Sequence, residues 1–482
     1  MAVAAAAHVV LFPFPGQGHL SAFMSVAALL HRALPDAAIT LVSTPRNVAA
    51  LRAASASTTS TSSFLRFHAL PFTPADHGLP ADCESSDAVP PGRFVDLFEA
   101  FEALQPAFDE YVAAVTADAG GSGGVCVISD PFTAWTAAVA RRRGCAHALF
   151  VSCGAFGSAV LHSLWGHLPV RPDPTTGRVR LVEHPEVVIH LSQVSKYSLR
   201  PAVDGTNRRP EFFERQITHG YTTDAVIINT VEELEPTGLA MLRRALKVPV
   251  WPVGPLVRRA TTPLSPADHA ILSFLDSHPP SSVLYISFGS QNSIRAEHMV
   301  ELAVALESTG RPFVWAVRPL DGHDIKGEFL AEWLPEGFEE RARAGNRGLL
   351  VRGWAPQVAI LGHASTGVFL SHCGWNSVLE SLAHGVPIIG WPLGGEQFYN
   401  AKTLEEDWGA CVEVARGKTE GTVVESAAVA GVVETVMGPT AKAAEMRRRV
   451  GEIKAMVEAS WSEGGGSSRK ALEEFLTAMK LR

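Results

Sequence analysis

The run "HCGWNS" at 372–377 follows the short apolar stretch "TGVFL" at 366–370 and opens a helix-like stretch that ends at Gly385, a residue suited to a left-handed C-cap. A helix N-terminus presents unpaired N–H groups and the positive end of the dipole, so it forms an anion site. Gly374 permits close backbone approach, Asn376 and Ser377 add hydrogen-bonding side chains in the first turn, and His372 adds an imidazole; together they suit a diphosphate. Glu380 lies one turn beyond Asn376 on the same face and suits a ribose diol. Upstream, "GWAP" supplies Trp354 as a flat face for a base, with Ala355 beside it and Gln357 as combined donor and acceptor. Downstream, Glu396 and Gln397 place a carboxylate beside an amide, which suits adjacent sugar hydroxyls.

A second constellation lies far upstream. His19 ends "PFPGQGH" directly after the apolar run "HVVLF", and Asp130 follows "VCVIS". An imidazole of ordinary pKa suits a general base at neutral pH, and a carboxylate on its far nitrogen would hold the tautomer and stabilise the imidazolium. Asp130 before Pro131 also reads as a turn or cap residue, and a histidine after a Gly-rich turn as an ordinary loop residue.

These residues need elements to position them. Short β-branched runs alternate with helical patterns. The strand candidates are 8–13, 38–43, 65–69, 124–129, 147–151 and 225–229, then 282–288, 312–317, 348–352, 366–370 and 386–390. Helices are expected near 20–33, 92–116, 132–143 and 232–246, then 266–276, 295–309, 374–384, 396–407 and 424–436. That rhythm predicts an α/β chain of two doubly wound, Rossmann-like domains with parallel sheets, whose ligands bind at the carboxyl ends of the strands. "KVPVWPVGPL" at 247–256 breaks both periodicities and marks the boundary. The expected division is 1–248, a linker at 249–262, 263–460, and a C-terminal helix at 461–482 that packs back on the first domain. "SASTTSTSS" at 55–63 reads as a surface loop, and 165–222 as an irregular excursion lining or covering a cleft.

Composition narrows the function classes. The 482 residues are 46% hydrophobic and 19% charged with net charge −8, which suits two globular domains and not a nucleic-acid binder. The six cysteines show no CxxC spacing, so free thiols in a reducing compartment are expected, and adjacent His372 and Cys373 lack zinc-ligand spacing. No acidic metal motif accompanies the phosphate site. The N-terminal apolar stretch lacks a basic n-region, and no run of 18 apolar residues occurs, so the expectation is a cytoplasmic protein without a transmembrane segment.

The 44 residues from Trp354 to Gln397 resemble the signature box of plant family 1 UDP-dependent glycosyltransferases, in "WAPQ", "LGH", "HCGWNS", Glu380, "GVP" and "EQ". "FPGQGH", "ISDPF", "GPL" and "YISFGS" extend the resemblance over nearly the whole chain. It implies a GT-B fold, with the two domains facing across a cleft, acceptor in the first and UDP-sugar in the second. It implies Trp354 at uracil, Gln357 and Glu380 at ribose, and Ala355 among the residues that bind the nucleotide sugar. His372, Gly374, Asn376, Ser377 and Ser290 fall at the diphosphate, and Trp375, Glu396 and Gln397 at the sugar. Gln397 at the last box position goes with UDP-glucose. The resemblance makes His19 and Asp130 the catalytic pair of an inverting, metal-independent transfer, and it suggests a monomer. Two departures stand out: Ala22 where the family often has proline, and Gly394 where a bulkier residue is common.

The acceptor reading rests on loops after first-domain strands: Phe14, Pro15, Phe132, Trp135, Ser152 and Phe156, with parts of 76–100 and 185–205, and Phe398 and Tyr399 from the second domain. These residues favour a small lipophilic hydroxylated molecule such as a flavonoid, other phenolic, terpenoid or hormone. A nicotinamide oxidoreductase is disfavoured, because the first strand–helix turn lacks GxGxxG. Formation of C-, N- or S-glycosides stays open, as does a non-catalytic nucleotide-sugar or metabolite binder.

Overall fold

The computed structural model describes residues 7–56, 64–90, 92–199, 208–257, 264–417 and 423–482. It divides into two compact units: unit 1 contains residues up to Leu256 together with Ala459–Arg482, and unit 2 is Val257–Glu458. Both are α/β, each with a main sheet of parallel strands.

Among the described residues of unit 1, a seven-stranded sheet contains β1 (His8–Phe12), β2 (Ala38–Ser43), β3 (Leu65–Ala69), β4 (Val125–Ser129), β5 (Ala146–Val151), β6 (Ala225–Ile228) and β7 (Val250–Pro252). Its order is β3-β2-β1-β4-β5-β6-β7, so the progression reverses between β1 and β4. The period-two alternation of "HVVLF" divides its side chains between two layers. Val9 and Leu11 pack with Phe23, Val26 and Leu30 of helix α1 (Gln17–Ala33) and with Leu472, Phe475 and Leu476 of the C-terminal helix Ser467–Ala478. Val10 and Phe12 enter the opposite layer, with Phe98 and Phe101 of α2 (Phe94–Glu102), Phe108, Trp135 and Phe212. Each such fully buried aromatic or aliphatic side chain contributes roughly 1.5–3 kcal/mol.

The helix expected over 92–116 is two helices, because the chain breaks after Glu102 and restarts at Gln105 with Pro106 in its first turn. Helix α3 (Ala155–Trp165) was not expected, since its mostly apolar sequence carries little amphipathic contrast. The excursion at 165–222 contains a small antiparallel pair, Arg178–Arg180 with Val188–His190, and helix α4 (Arg209–Gly220). Within the expected linker, Val250–Pro252 instead extends the sheet as its last strand: Pro252 sits on an edge, where a missing N–H is tolerated. Residues 57–63 of the expected surface loop, 258–262 of the linker and 200–205 of the acceptor region lie outside the described residues.

Unit 2 holds a six-stranded sheet among its described residues: β8 (Val283–Ser287), β9 (Phe313–Val317), β10 (Gly348–Arg352), β11 (Thr366–Ser371), β12 (Ile388–Gly390) and β13 (Cys411–Glu413), in the order β10-β9-β8-β11-β12-β13. Here the reversal falls between β8 and β11. Leu284, Ile286, Phe313, Trp315 and Val317 face one layer, while Tyr285, Val314, Ala316, Phe369 and Ala355 face the other. Three short helices matter for the site: α5 (Gln357–Leu361), α6 (Trp375–His384), closed by Gly385 at φ 74°, and α7 (Gln397–Lys402). The helix expected over 396–407 changes after Lys402 to a wider π turn at Thr403–Asp407. Among the described residues no helix is long and apolar enough to cross a membrane.

Candidate active site

In an open parallel sheet, loops that follow adjacent strands diverge where the strand order reverses, leaving a crevice at the carboxyl edge. In unit 1 that place lies after β1 and β4, and these strands deliver His19 and Asp130. His19 is the third residue of α1. Its Nδ1 lies 2.5 Å from Oδ2 of Asp130, a charge-assisted contact with a fully buried carboxylate. Oδ1 of the same carboxylate accepts the Phe132 N–H at 3.0 Å. Asp130 therefore also serves as the cap that its position before Pro131 suggested. Its backbone N–H donates to the Phe12 carbonyl at 3.1 Å, which pins the turn to β1. Behind it, the buried His147 links Ser129 (3.1 Å), Thr136 (3.0 Å) and Thr223 (2.8 Å). Burial pushes the His147 pKa down to about 3, so the ring is neutral. Gly16 makes room for the His19 imidazole, since a Cβ there would meet His19 Cδ2 at 2.9 Å.

The His19 ring is 23% exposed and bordered by aromatic rings. Phe14 stands edge-on at 5.6 Å and Phe132 lies tilted at 5.6 Å. Phe132 continues to Phe98 at 4.9 Å and to Trp165 at 6.0 Å, and Trp165 stacks on Phe213 at 4.0 Å with planes 3° apart. Phe132, Trp165 and Phe213 are half-buried. Sequence reasoning named Phe14 and Phe132 but missed Trp165 and Phe213, which reach the row only through the packing of α3 and α4. Trp135 is a correction: it is 2% exposed, edge-on to Phe12 and Phe108, because the tight turn at Pro131–Thr133 rotates the following residue into the core. Pro15, Ser152 and Phe156 are buried near strand ends. The N–H groups of Ala155 and Phe156 donate to the buried Glu235 carboxylate at 2.7 and 3.0 Å.

In unit 2 the reversal places the loops after β8 and β11 side by side, carrying Ser290 and His372. The turn after β11 is strained: Cys373 adopts φ 60°, a region costly for a residue with a side chain. Asn400 holds it by donating Nδ2 to the Cys373 carbonyl at 2.9 Å. The His372 ring fills the space beside two glycines, since a Cβ on Gly374 would lie 2.4 Å from its Nε2 and one on Gly289 2.6 Å. The room at Gly374 is therefore taken by the protein's own imidazole. Burial pushes the His372 pKa down to about 4, against a hydrogen bond to the Ser287 backbone that raises it.

Ser377 and Glu380 share one face of α6 and meet Gln357, the first residue of α5. Gln357 Nε2 donates to Ser377 Oγ at 2.9 Å and to Glu380 Oε2 at 2.7 Å, while its Oε1 accepts from the Tyr285 hydroxyl at 3.2 Å. Tyr285 is a member of this network that sequence reasoning missed, because it reads as an ordinary core strand residue. Trp354 is 55% exposed, unusual for an indole and fit for stacking; Ala355 behind it is buried. Asn376 and Glu396 are half-buried at helix starts. Gln397 Oε1 accepts the N–H groups of Leu393 and Gly394 at 2.9 and 3.1 Å, which orients its amide nitrogen as the donor end. The Trp375 indole is buried beside Trp408, while its backbone stands at the helix N-terminus. Phe398 and Tyr399 are also buried, Tyr399 to 1%, with its hydroxyl pKa raised by desolvation; neither offers much exposed ring surface. Among the described residues no group of three or more His, Cys, Asp or Glu is placed to hold a metal.

Two family models match this chain: "Glycosyltransferase, N-terminal domain" over residues 5–258 and "UDP-glucoronosyl and UDP-glucosyl transferase" over residues 250–444. UDP-glycosyltransferase 92A1 of Arabidopsis thaliana is 39% identical, covering 97% of this chain and 96% of its own. The crystal structure of Glycyrrhiza uralensis UGT73P12, complexed with glycyrrhetinic acid 3-O-monoglucuronide, superposes with TM-score 0.82 at 27% identity over 98% of this chain and 96% of that one. Phytolacca americana UGT2, complexed with UDP-2fluoro-glucose and pterostilbene, gives TM-score 0.77 at 27% identity over 99% and 100%. The chain belongs to the plant family 1 UDP-dependent glycosyltransferases and is a UDP-glycosyltransferase of GT-B fold.

Proposed function

We propose that this enzyme moves glucose from UDP-glucose to a hydroxyl of a small, flat, lipophilic plant metabolite, with inversion at the anomeric carbon. The observation that carries the reading is the His19–Asp130 contact of 2.5 Å at the strand-order reversal of unit 1. The carboxylate keeps the proton on Nδ1, which leaves Nε2 to take the acceptor proton. The acceptor oxygen forms its bond to the anomeric carbon as the bond to UDP breaks, and the developing imidazolium is stabilised by Asp130. Unit 1 takes the acceptor and unit 2 the nucleotide sugar. The amino end of α6, Ser377, Ser290 and the imidazole of His372, seated beside Gly289 and Gly374, offer donors to the leaving diphosphate, so the step needs no metal.

Trp354 supports the base, the Gln357–Glu380 pair the ribose, and Glu396 with the amide nitrogen of Gln397 the glucose hydroxyls. The row from Phe14 through Phe132 to Trp165 and Phe213 favours an aromatic acceptor. The Phytolacca relative, bound to pterostilbene and a fluorinated UDP-glucose, supports both halves of this reading.

The test is UDP release from purified protein given UDP-glucose and a panel of phenolic, terpenoid and hormone acceptors, with the product mass recorded. Release that depends on one aromatic acceptor class, with a product one hexose heavier, is expected. Binding of UDP without release for any acceptor and any donor sugar would favour a nucleotide-sugar binding protein instead.

A further inference from the structure

Arg318 follows β9 directly and is half-buried. The other arginines around this sheet are paired: Arg311 with Glu434, Arg341 with Glu307 and Arg352 with Glu339, each through two nitrogens. Arg318 has no carboxylate or hydrogen-bond acceptor among the described residues. Burial pulls its pKa down, and the ionisable neighbour it feels is the Tyr285 hydroxyl. A half-desolvated guanidinium with five donors and no acceptor is an uncompensated group.

Its place in the sheet says what would compensate it. Val314 and Ala316 share the layer of Tyr285 and Ala355, and Arg318 continues that parity. In the order β10-β9-β8-β11, β9 is the direct neighbour of β10, which leads into Trp354, whereas β11 and His372 lie two strands away. At the usual strand spacing that separation is about 10 Å. Arg318 therefore stands at the Trp354 end of the carboxyl edge, beside the Tyr285–Gln357 bond and away from the diphosphate turn.

We propose that Arg318 is a base-reading residue, donating from its guanidinium to the carbonyl oxygens of the uracil that lies on Trp354. The inference rests on the donor reading above and adds to it a source of base selectivity. Adenine offers no carbonyl to such a donor, so Arg318 would separate uridine from adenosine nucleotides.

Calorimetric titration of the full-length chain with UDP and with ADP tests this, using wild type, Arg318→Ala and Arg318→Lys. A lost hydrogen bond from a charged donor predicts about tenfold weaker UDP binding in Arg318→Ala with ADP changed much less. Arg318→Lys keeps the charge but not the planar fork, so it should recover less than half of that loss. Equal weakening of UDP and ADP would overturn the proposal in favour of general attraction to phosphate, and unchanged UDP binding would overturn it in favour of a solvated side chain. Should wild type fail to bind UDP at all, the donor reading falls first; the three-way comparison keeps the two failures apart.

Discussion

Asp130 Oδ2 lies 2.5 Å from Nδ1 of His19, although 111 residues separate the two in the chain. The pairing exists because β1 and β4 are neighbours in register, with Phe12 opposite Ser129, so that the residues just beyond both strands share one edge. His19→Ala should lower kcat by roughly 10²–10⁴ while leaving UDP affinity unchanged. Asp130→Asn should lower kcat as well, because an amide can donate to Nδ1 and favour the wrong tautomer. Loss of UDP binding in either variant, measured by titration, would remove His19 from the role of base.

The glycines around His372 are the second test. Gly289→Ala and Gly374→Ala each drive a methyl into the imidazole, and Gly289 also sits at φ 83°. Overpacking of this kind costs typically 1–3 kcal/mol. The expected result is sharply weaker UDP binding. Normal UDP titration of both variants would mean that the His372 ring position is irrelevant to the nucleotide.

Tyr285→Phe removes the hydroxyl that donates to Gln357 Oε1. The loss should be about 1 kcal/mol. It should appear in KM for the sugar nucleotide, with kcat preserved. A change confined to kcat would place Tyr285 in the chemical step and contradict its assignment as a support for Gln357.

Buried imidazoles set an acid limit. His147 and His372 are pushed down to about 3 and about 4, against 6.5 for an exposed ring. Between these values the unfolded chain binds protons that the folded chain refuses. Stability is therefore fully present above pH 6.5 and falls as the pH drops toward the folded values. Each ring should remove roughly 1.5 kcal/mol between pH 6.5 and 5. Urea unfolding at those two pH values checks this, and His147→Gln should flatten the dependence. A variant with the wild-type slope would exclude His147 as a source.

The aromatic row predicts where acceptor affinity resides. Phe132→Ala and Trp165→Ala should raise KM for a multi-ring acceptor, by about 0.5–1.5 kcal/mol per lost ring pair beyond the lost area. KM for UDP-glucose should stay the same. Equal KM values for the acceptor in wild type and both variants would move the acceptor elsewhere on unit 1.

Sequence alone determined the parallel α/β character of both sheets and most of their strands, but not the last strand of each, Val250–Pro252 and Cys411–Glu413. Buried parallel strands must read as short apolar runs, and side chains that do chemistry must follow them, so His19, Asp130 and the run from His372 to Glu380 were legible as strand-end residues. Their types carried the chemistry, because an imidazole, a carboxylate and a helix N-terminus act locally. Tertiary structure decided which of these residues meet. Strand order made His19 and Asp130 neighbours, and packing brought Tyr285 to Gln357 and Trp165 to the Phe132 row. Trp135 and the Trp375 indole turned inward for the same reason: the direction of an aromatic ring depends on turn geometry and on long-range neighbours. Spacing along the chain records neither, whereas the apolar period of a strand is written into every pair of its residues.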